Sequence, residues 1–152
     1  MSDHEQTIRK YCAYQDRCHF EVKQRLYQLG VKGLEQDQII ASLIEENFLN
    51  EERFAKNYAR GHFRMKQWGR NKIIVGLKAK KISAYCIKKG LEEIDEEEYV
   101  QTLQKIIEKR MQISGKTKYT RLIHKKLYDY LYQKGYESNL IAEAINKHFK
   151  KQ

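Results

Sequence analysis

An all-α fold is the prediction, arranged as a tandem helical array of nine helices in three units of three. Three observations carry it. The 152 residues contain no proline and only eight glycines, which fits helices joined by short connections. Apolar residues recur at helical spacing along nearly the whole chain. Two end motifs also repeat at long period, the signature of stacked units.

The elements follow in order. A first helix is expected over about residues 3–14, with Asp3 as its N-cap. A second, about 19–29, carries Phe20, Val22, Leu26 and Leu29 and stops at Gly30, where a left-handed C-cap falls. A third, about 37–47, starts at Asp37 and gathers Ile39, Ile40, Leu43 and Ile44 on one face. The fourth has the clearest start. Asn50 caps it, and Glu51 and Glu52 suit the positive end of the helix dipole. On a wheel of about 100° per residue, Phe54, Tyr58, Gly61 and Met65 form an apolar stripe, with Arg53, Lys56, Arg60 and Arg64 on the other side.

Trp68-Gly69 reads as a turn, with the indole placed to pack at a joint between helices. A helix over 70–81 carries Ile73, Ile74 and Leu77. Ser83 caps a short one to about 89, closed by Gly90. Asp95-x-x-Glu98 is an acidic form of the capping box and opens a long helix to about 113, broken by Ser114-Gly115. Helices over 117–134, ending at Gly135, and about 138–149 complete the chain.

The repeats fix the grouping. Leu49-Asn50-Glu51-Glu52-Arg53-Phe54 matches Ile94-Asp95-Glu96-Glu97-Glu98-Tyr99: an apolar residue, a cap, carboxylates, an aromatic. Leu26…Gly30-Val31, Leu77…Lys81-Ile82 and Leu131…Gly135-Tyr136 share a second frame. Lys81 breaks its glycine pattern, so that helix end must close without a left-handed residue or with strain. Units of roughly 3–48, 50–92 and 94–150 follow. Each is too small to bury much surface alone, so neighbours must stack.

Composition excludes several classes. No run of eighteen apolar residues exists, so no membrane span is expected, and residues 1–5 do not read as a secretory signal. Cys12, Cys18 and Cys86 are an odd number at spacings that suggest no disulfide framework, which points to a reducing, cytoplasmic setting. Cys18-His19 lacks the remaining ligands of a zinc site, so small buried thiols are the better account. There is no Gly-rich phosphate loop, HExxH or nucleophile elbow, and the carboxylates sit in helix first turns where capping explains them. No catalytic residue, metal or cofactor is expected.

Charge carries the functional signal. The net charge is +10, distributed in blocks. Residues 1–52 hold six bases and ten acids, and residues 92–100 hold six acids and no base. Residues 101–152 hold twelve bases and four acids. Between them, residues 53–91 contain twelve Lys or Arg and no acid. Because this stretch is helical, it reads as a folded face for an anionic partner rather than a tail. Its candidate contacts are Arg53, Lys56, Arg60, Arg64, Lys66, Arg70, Lys72, Lys78 and Lys80. The 117–134 helix adds Arg121, Lys125, Tyr128 and Tyr132 on the side opposite Ile123, Leu127, Tyr130 and Leu131, with His124 among them. Cations interleaved with aromatics suit a nucleic-acid or filament surface; ordinary solvated helix surface is the plainer reading of the same residues.

The chain resembles the RecX family of bacterial recombination regulators. Arg17-Cys18-His19-Phe20-Glu21-Val22, with Leu26 and Gly30, is similar to that family's opening motif, which usually has Ser at the position of Phe20. Phe48-Leu49-Asn50-Glu51-Glu52-Arg53-Phe54-Ala55 resembles its most recognisable block. Gly69, Ile73, Leu77 and Ile82 resemble the second-unit motif, and Leu131, Gly135-Tyr136 and Ile141 the third. The departures at Phe20 and Lys81 touch packing.

The resemblance implies an elongated, curved stack of three three-helix units. It further implies a non-enzymatic, monomeric cytoplasmic modulator that lies along the RecA filament on single-stranded DNA and suppresses its extension, strand exchange and coprotease action in DNA repair. A body of several units can touch several protomers of a helical polymer at once and gain avidity from weak contacts. A freestanding helical protein acting on duplex DNA is the alternative. Tight binding to bare duplex would favour it, whereas weak, salt-sensitive binding to bare DNA beside tight filament binding favours the first.

Overall fold

In the computed structural model, which describes residues 2–150, the described residues form nine α-helices and no strand. They are α1 (Asp3–Tyr14), α2 (His19–Gln28), α3 (Gly33–Glu45), α4 (Glu51–Lys66), α5 (Arg70–Ala79), α6 (Ala84–Leu91), α7 (Glu96–Ser114), α8 (Arg121–Gln133) and α9 (Ser138–Lys150).

Both sequence repeats are capping devices. Asn50 Oδ1 accepts from the Arg53 amide at 2.9 Å, and Asp95 Oδ2 accepts from the Glu98 amide at 2.9 Å. The apolar residue before each cap, Leu49 or Ile94, is buried, as is the aromatic four residues after it, Phe54 or Tyr99. At the helix ends, Val31 N–H reaches Leu26 O at 2.9 Å, Ile82 N–H reaches Leu77 O at 3.1 Å and Tyr136 N–H reaches Leu131 O at 3.1 Å. These six-to-one bonds are the Schellman closure, which needs a left-handed residue just before the donor. That residue is Gly30 (φ 84°), Lys81 (φ 61°) or Gly135 (φ 101°). Lys81 therefore adopts the left-handed conformation despite its side chain, the strained alternative.

Several boundaries differ from the expectation. The N-cap of α1 is Ser2, whose hydroxyl accepts from Glu5 N–H, so Asp3 lies in the first turn. Helix α3 starts at Gly33 rather than Asp37 and has no side-chain cap; the extended backbone at Lys32 sets its start. Helix α5 ends at Ala79, because Lys80 and Lys81 form the closing turn. Gly90 lies inside α6 instead of ending it. A Cβ there would come 2.7 Å from the Ala55 carbonyl oxygen, so glycine serves the close crossing of α6 on α4. Helix α8 begins at Arg121, not residue 117, since Thr120 Oγ1 accepts from Ile123 N–H at 3.1 Å.

The core stripe of α4 is also rotated from the one drawn on the wheel. Phe54, Ala55, Ala59 and Phe63 are buried, while Met65 is 86% exposed. Helix α4 is contacted by α5 and α6 and, through Phe63, by Tyr99 of α7. A helix covered from several directions buries an arc wider than a stripe of large residues, and the alanines on that arc weigh little on an apolar wheel.

Burial falls into two clusters. One joins Ile8, Cys12, Val22, Leu26, Val31, Ile39, Ile40, Leu43 and Leu49 of α1–α3 and their connections. The other runs without a break through α4–α9, and from the first unit takes in only Cys18, with Phe20 packed against it. The first joint is largely polar: Arg53 and Asn57 bind Asp16, His19 N–H binds Glu51 at 2.8 Å, and Lys80 pairs with Glu21 at 3.2 Å. The second joint brings backbone against backbone. Gly69 N–H donates to Lys134 O at 2.8 Å, Asn71 N–H donates to Gly135 O at 2.9 Å, and Tyr136 Oη donates to Gln67 O at 2.8 Å. No described helix is long and apolar enough to cross a membrane.

Candidate nucleic-acid and filament interface

The acid-free stretch is less acid-free once folded. Arg53 meets Asp16 at 3.2 Å, Arg60 meets Glu93, and Lys80 meets Glu21 at 3.2 Å. Lys89 meets Glu92 at 3.8 Å. Arg70 is held by Glu137 at 2.6 Å and by Glu96, its guanidinium 3.9 Å from the Tyr99 ring centroid. Carboxylates of the acidic flanking blocks (Asp16, Glu21, Glu92, Glu93 and Glu96) and Glu137 of the basic C-terminal block thus meet the stretch, so the positive strip is interrupted. Arg53, Arg60, Arg70 and Lys80 tie elements of the stack together in this structure.

The remaining cations of the stretch, Lys56, Arg64, Lys66, Lys72, Lys78, Lys81 and Lys88, take part in none of the ion pairs among the described residues. All are exposed except Lys56, which is half-buried. Exposed ammonium groups without carboxylate partners keep their full attraction for phosphate or for an acidic protein surface.

On α8, Arg121 is exposed, and Lys125 is paired with Asp129 at 2.8 Å. Tyr128 Oη donates to Ser138 at 2.8 Å, and its ring lies parallel to that of exposed Tyr132 with centroids 6.0 Å apart. His124 turns to Tyr119, 3.2 Å away. Lys125 and Tyr128 are therefore locally engaged, while Arg121 and Tyr132 are free toward solvent.

The fold assembles one group that sequence reasoning missed, at the second joint. Tyr58, His62 and Trp68 contact in series: Tyr58 stacks on His62 with centroids 3.9 Å apart, and Trp68 lies against His62 at 4.5 Å, tilted by 42°. Lys72 Nζ lies 4.6 Å and Lys66 Nζ 5.3 Å from the Trp68 ring centroid. Lys134 Nζ donates to Lys66 O at 2.9 Å and sits 5.9 Å from the Tyr130 ring, which also carries the Arg110 guanidinium at 4.1 Å. Burial, and then the charges of Lys72 and Lys109, push the Lys134 ammonium below its ordinary range. None of Lys66, Lys72, Lys109, Arg110 and Lys134 has an ion pair among the described residues. Trp68 at a helix joint, with Lys66 and Lys72 close by in the chain, was the signal in the sequence; Tyr130, Lys109, Arg110 and Lys134 come from α7, α8 and the residue after it, too distant in the chain to be associated with it.

Comparison with known proteins gives one family. Residues 50–91 match the family model described as the second three-helix domain of RecX, and residues 96–145 match that of the third. The chain is 35% identical over 124 residues to the regulatory protein RecX of Clostridium perfringens, covering 79% of this chain and 58% of that protein. It is 27% identical over 142 residues to the regulatory protein RecX of Lactobacillus gasseri, covering 93% of this chain and 52% of the relative. The chain thus spans about half the length of the curated relatives it matches. The crystal structure of RecX from Lactobacillus salivarius superposes with a TM-score of 0.87 at 22% identity, covering 95% of this chain and 94% of that one. A second RecX crystal structure gives 0.81 at 18% identity, covering 95% and 72%. At these identities the structural likeness bears on the fold.

Proposed function

Since the chain belongs to the RecX family, we propose that it is a non-enzymatic regulator of RecA that binds the RecA–single-stranded DNA filament and inhibits its extension, strand exchange and coprotease activity. The relatives are named regulatory proteins. The observation that carries the reading here is the set of exposed cations without ion-pair partners on α4–α6, displayed on a stack of helices.

Such a surface draws the protein to a polyanion but gives little base sequence information, since phosphate contacts position and do not specify. The three units offer successive contact patches, so occupancy of several neighbouring protomers compensates for weak single contacts. On this reading the protein acts as a monomer in the cytoplasm.

RecA ATP hydrolysis on single-stranded DNA tests the proposal. Added chain lowers the steady rate at amounts well below one per RecA protomer, because each bound molecule blocks growth beyond itself. Unchanged hydrolysis, together with tight binding to bare duplex, would favour the duplex-binding alternative instead.

A further inference from the structure

We propose that the joint between the α4–α5 turn and the end of α8 is a nucleotide-stacking site for single-stranded DNA, in which Trp68 receives an unpaired base while Lys72 and Lys134 hold the adjoining phosphates. The proposal rests on the reading above and assigns the DNA contact to a definite place.

The cation clusters at the helix joints differ in what meets them. At the first joint, Arg53 and Lys80 are met by Asp16 and Glu21. Within the second unit Arg60 is met by Glu93, and elsewhere at the second joint Arg70 is met by Glu137. Around Trp68 and Tyr130, Lys66, Lys72, Lys134 and Arg110 gather without one carboxylate in an ion pair among the described residues. Clustered like charges repel one another and oppose compaction. Lys134 lies among them partly buried, and burial first, then Lys72 and Lys109, lower the proton affinity of its ammonium. An anion placed among these cations relieves their repulsion.

The rings say which anion. Lys72 and Lys66 lie near the Trp68 ring, and Arg110 and Lys134 near Tyr130. An exposed cation over a ring is held loosely, and a lysine stem can swing its head group from the ring to a phosphate. The aromatic face is then open to a base, the arrangement by which proteins hold single strands without reading sequence. Trp68 is held for this role by the tilted contact of its ring with His62, which is itself stacked on Tyr58. The Gly69–Lys134 backbone bond keeps both sides of the joint in register. A duplex fits poorly, because its bases are already stacked inward.

Trp68 is the only tryptophan of the chain, so its emission reads this site alone. The full chain is titrated with oligothymidylate at low salt, following Trp68 emission and the anisotropy of labelled oligonucleotide together. Emission is expected to be quenched in step with binding. An abasic oligonucleotide of equal length should bind without quenching, and an equal-length duplex should not quench. The Lys72→Gln/Lys134→Gln variant should bind oligothymidylate roughly ten-fold more weakly, with a salt slope shallower by about 1.4 for two lost single-strand contacts. Oligothymidylate bound with unchanged Trp68 emission, equal quenching by the duplex or the abasic strand, or unaltered affinity in a variant whose helical circular dichroism is intact would overturn the proposal. RecA inhibition is measured separately. If inhibition persists while quenching is absent, this site fails alone; if quenching is present while inhibition is absent, the filament reading fails and the site stands.

Discussion

Gly69 and Gly135 meet backbone to backbone: a Cβ on Gly69 would lie 2.3 Å from the Gly135 carbonyl carbon, and the Gly69 amide donates to the neighbouring Lys134 carbonyl at 2.8 Å. Two turns more than sixty residues apart thereby lock the second and third units together. Gly69→Ala forces them apart. We expect a loss of about 1–3 kcal/mol, the usual range for an overpacked site, seen as a lower midpoint in urea. Gly61 is the control. It lies in the middle of α4, and a Cβ added there would meet nothing within 4 Å, so Gly61→Ala should stabilise by about 0.5–1 kcal/mol. An equal response of the two variants would count against the close packing of this joint.

The same joint contains Tyr99, which is fully buried, accepts from Arg70 N–H at 2.9 Å and donates to Glu137. Tyr99→Phe leaves both partners short of a hydrogen bond and should cost about 1–3 kcal/mol. Burial first, and then the bond to Glu137, hold the Tyr99 phenol above its ordinary value of 10.0. The unfolded chain therefore releases this proton before the folded one does. The associated stability is complete below pH 10.0 and is lost as the pH rises above it. Denaturation curves at rising alkaline pH should fall more steeply for the parent than for Tyr99→Phe.

Cys18 is fully buried beside the Lys80 carbonyl, its thiol 3.9 Å away, and burial pushes that thiol from 9.0 up to about 11. The thiolate is the reactive form. At pH 8, a disulfide reagent should label half-buried Cys86 first and reach Cys18 only through opening of the first joint. Rapid labelling of Cys18 in the folded chain would show that this joint opens freely. The raised value also removes stability between pH 9.0 and about 11, on the same sign as Tyr99.

The division of the core predicts unequal units. Residues 50–152 retain one continuous apolar cluster, losing only the cover of Cys18 and Phe20. That fragment should stay helical and unfold cooperatively. Deleting residues 116–152 removes Leu127, Leu131, Tyr136 and Ile141 from the shared core and should unfold much of what remains. Circular dichroism melts of the two fragments decide it; equal stability would contradict a core shared between α4 and α9.

Much of the fold was legible because its repeats are physical devices. Asn50, Asp95, Gly30 and Gly135 announce capping bonds that any helix needs, so unit order and most boundaries could be read from local chemistry. The misplaced starts at Asp37 and residue 117 arose where a plausible capping residue or a turn was not the one used. Gly90 looked like a stop signal because the close approach of Ala55, thirty-five residues earlier, is invisible locally. Charge was the harder reading. Residues 53–91 are acid-free in sequence, yet Asp16, Glu21, Glu93, Glu96 and Glu137 reach Arg53, Lys80, Arg60 and Arg70 through tertiary contacts. The cluster around Trp68 needed the fold for the same reason.

The free cations can be separated from the paired ones by mutation. Lys56→Glu/Arg64→Glu alters two side chains with no ion pair among the described residues and should weaken RecA inhibition at least several-fold with the helical spectrum intact. Arg60→Glu instead sets a carboxylate against Glu93 and should lower stability as well. A variant in which Lys56→Glu/Arg64→Glu leaves inhibition unchanged would remove α4 from the proposed interface.

Co-sedimentation with preformed RecA–single-stranded DNA filaments across a salt series tests the central proposal most directly. The chain should pellet with filaments at salt concentrations where it no longer binds naked single strands or duplex, because contacts to several protomers add to the phosphate attraction. Binding to filaments that weakens with salt in parallel with binding to naked DNA, or no pelleting at all, would contradict it.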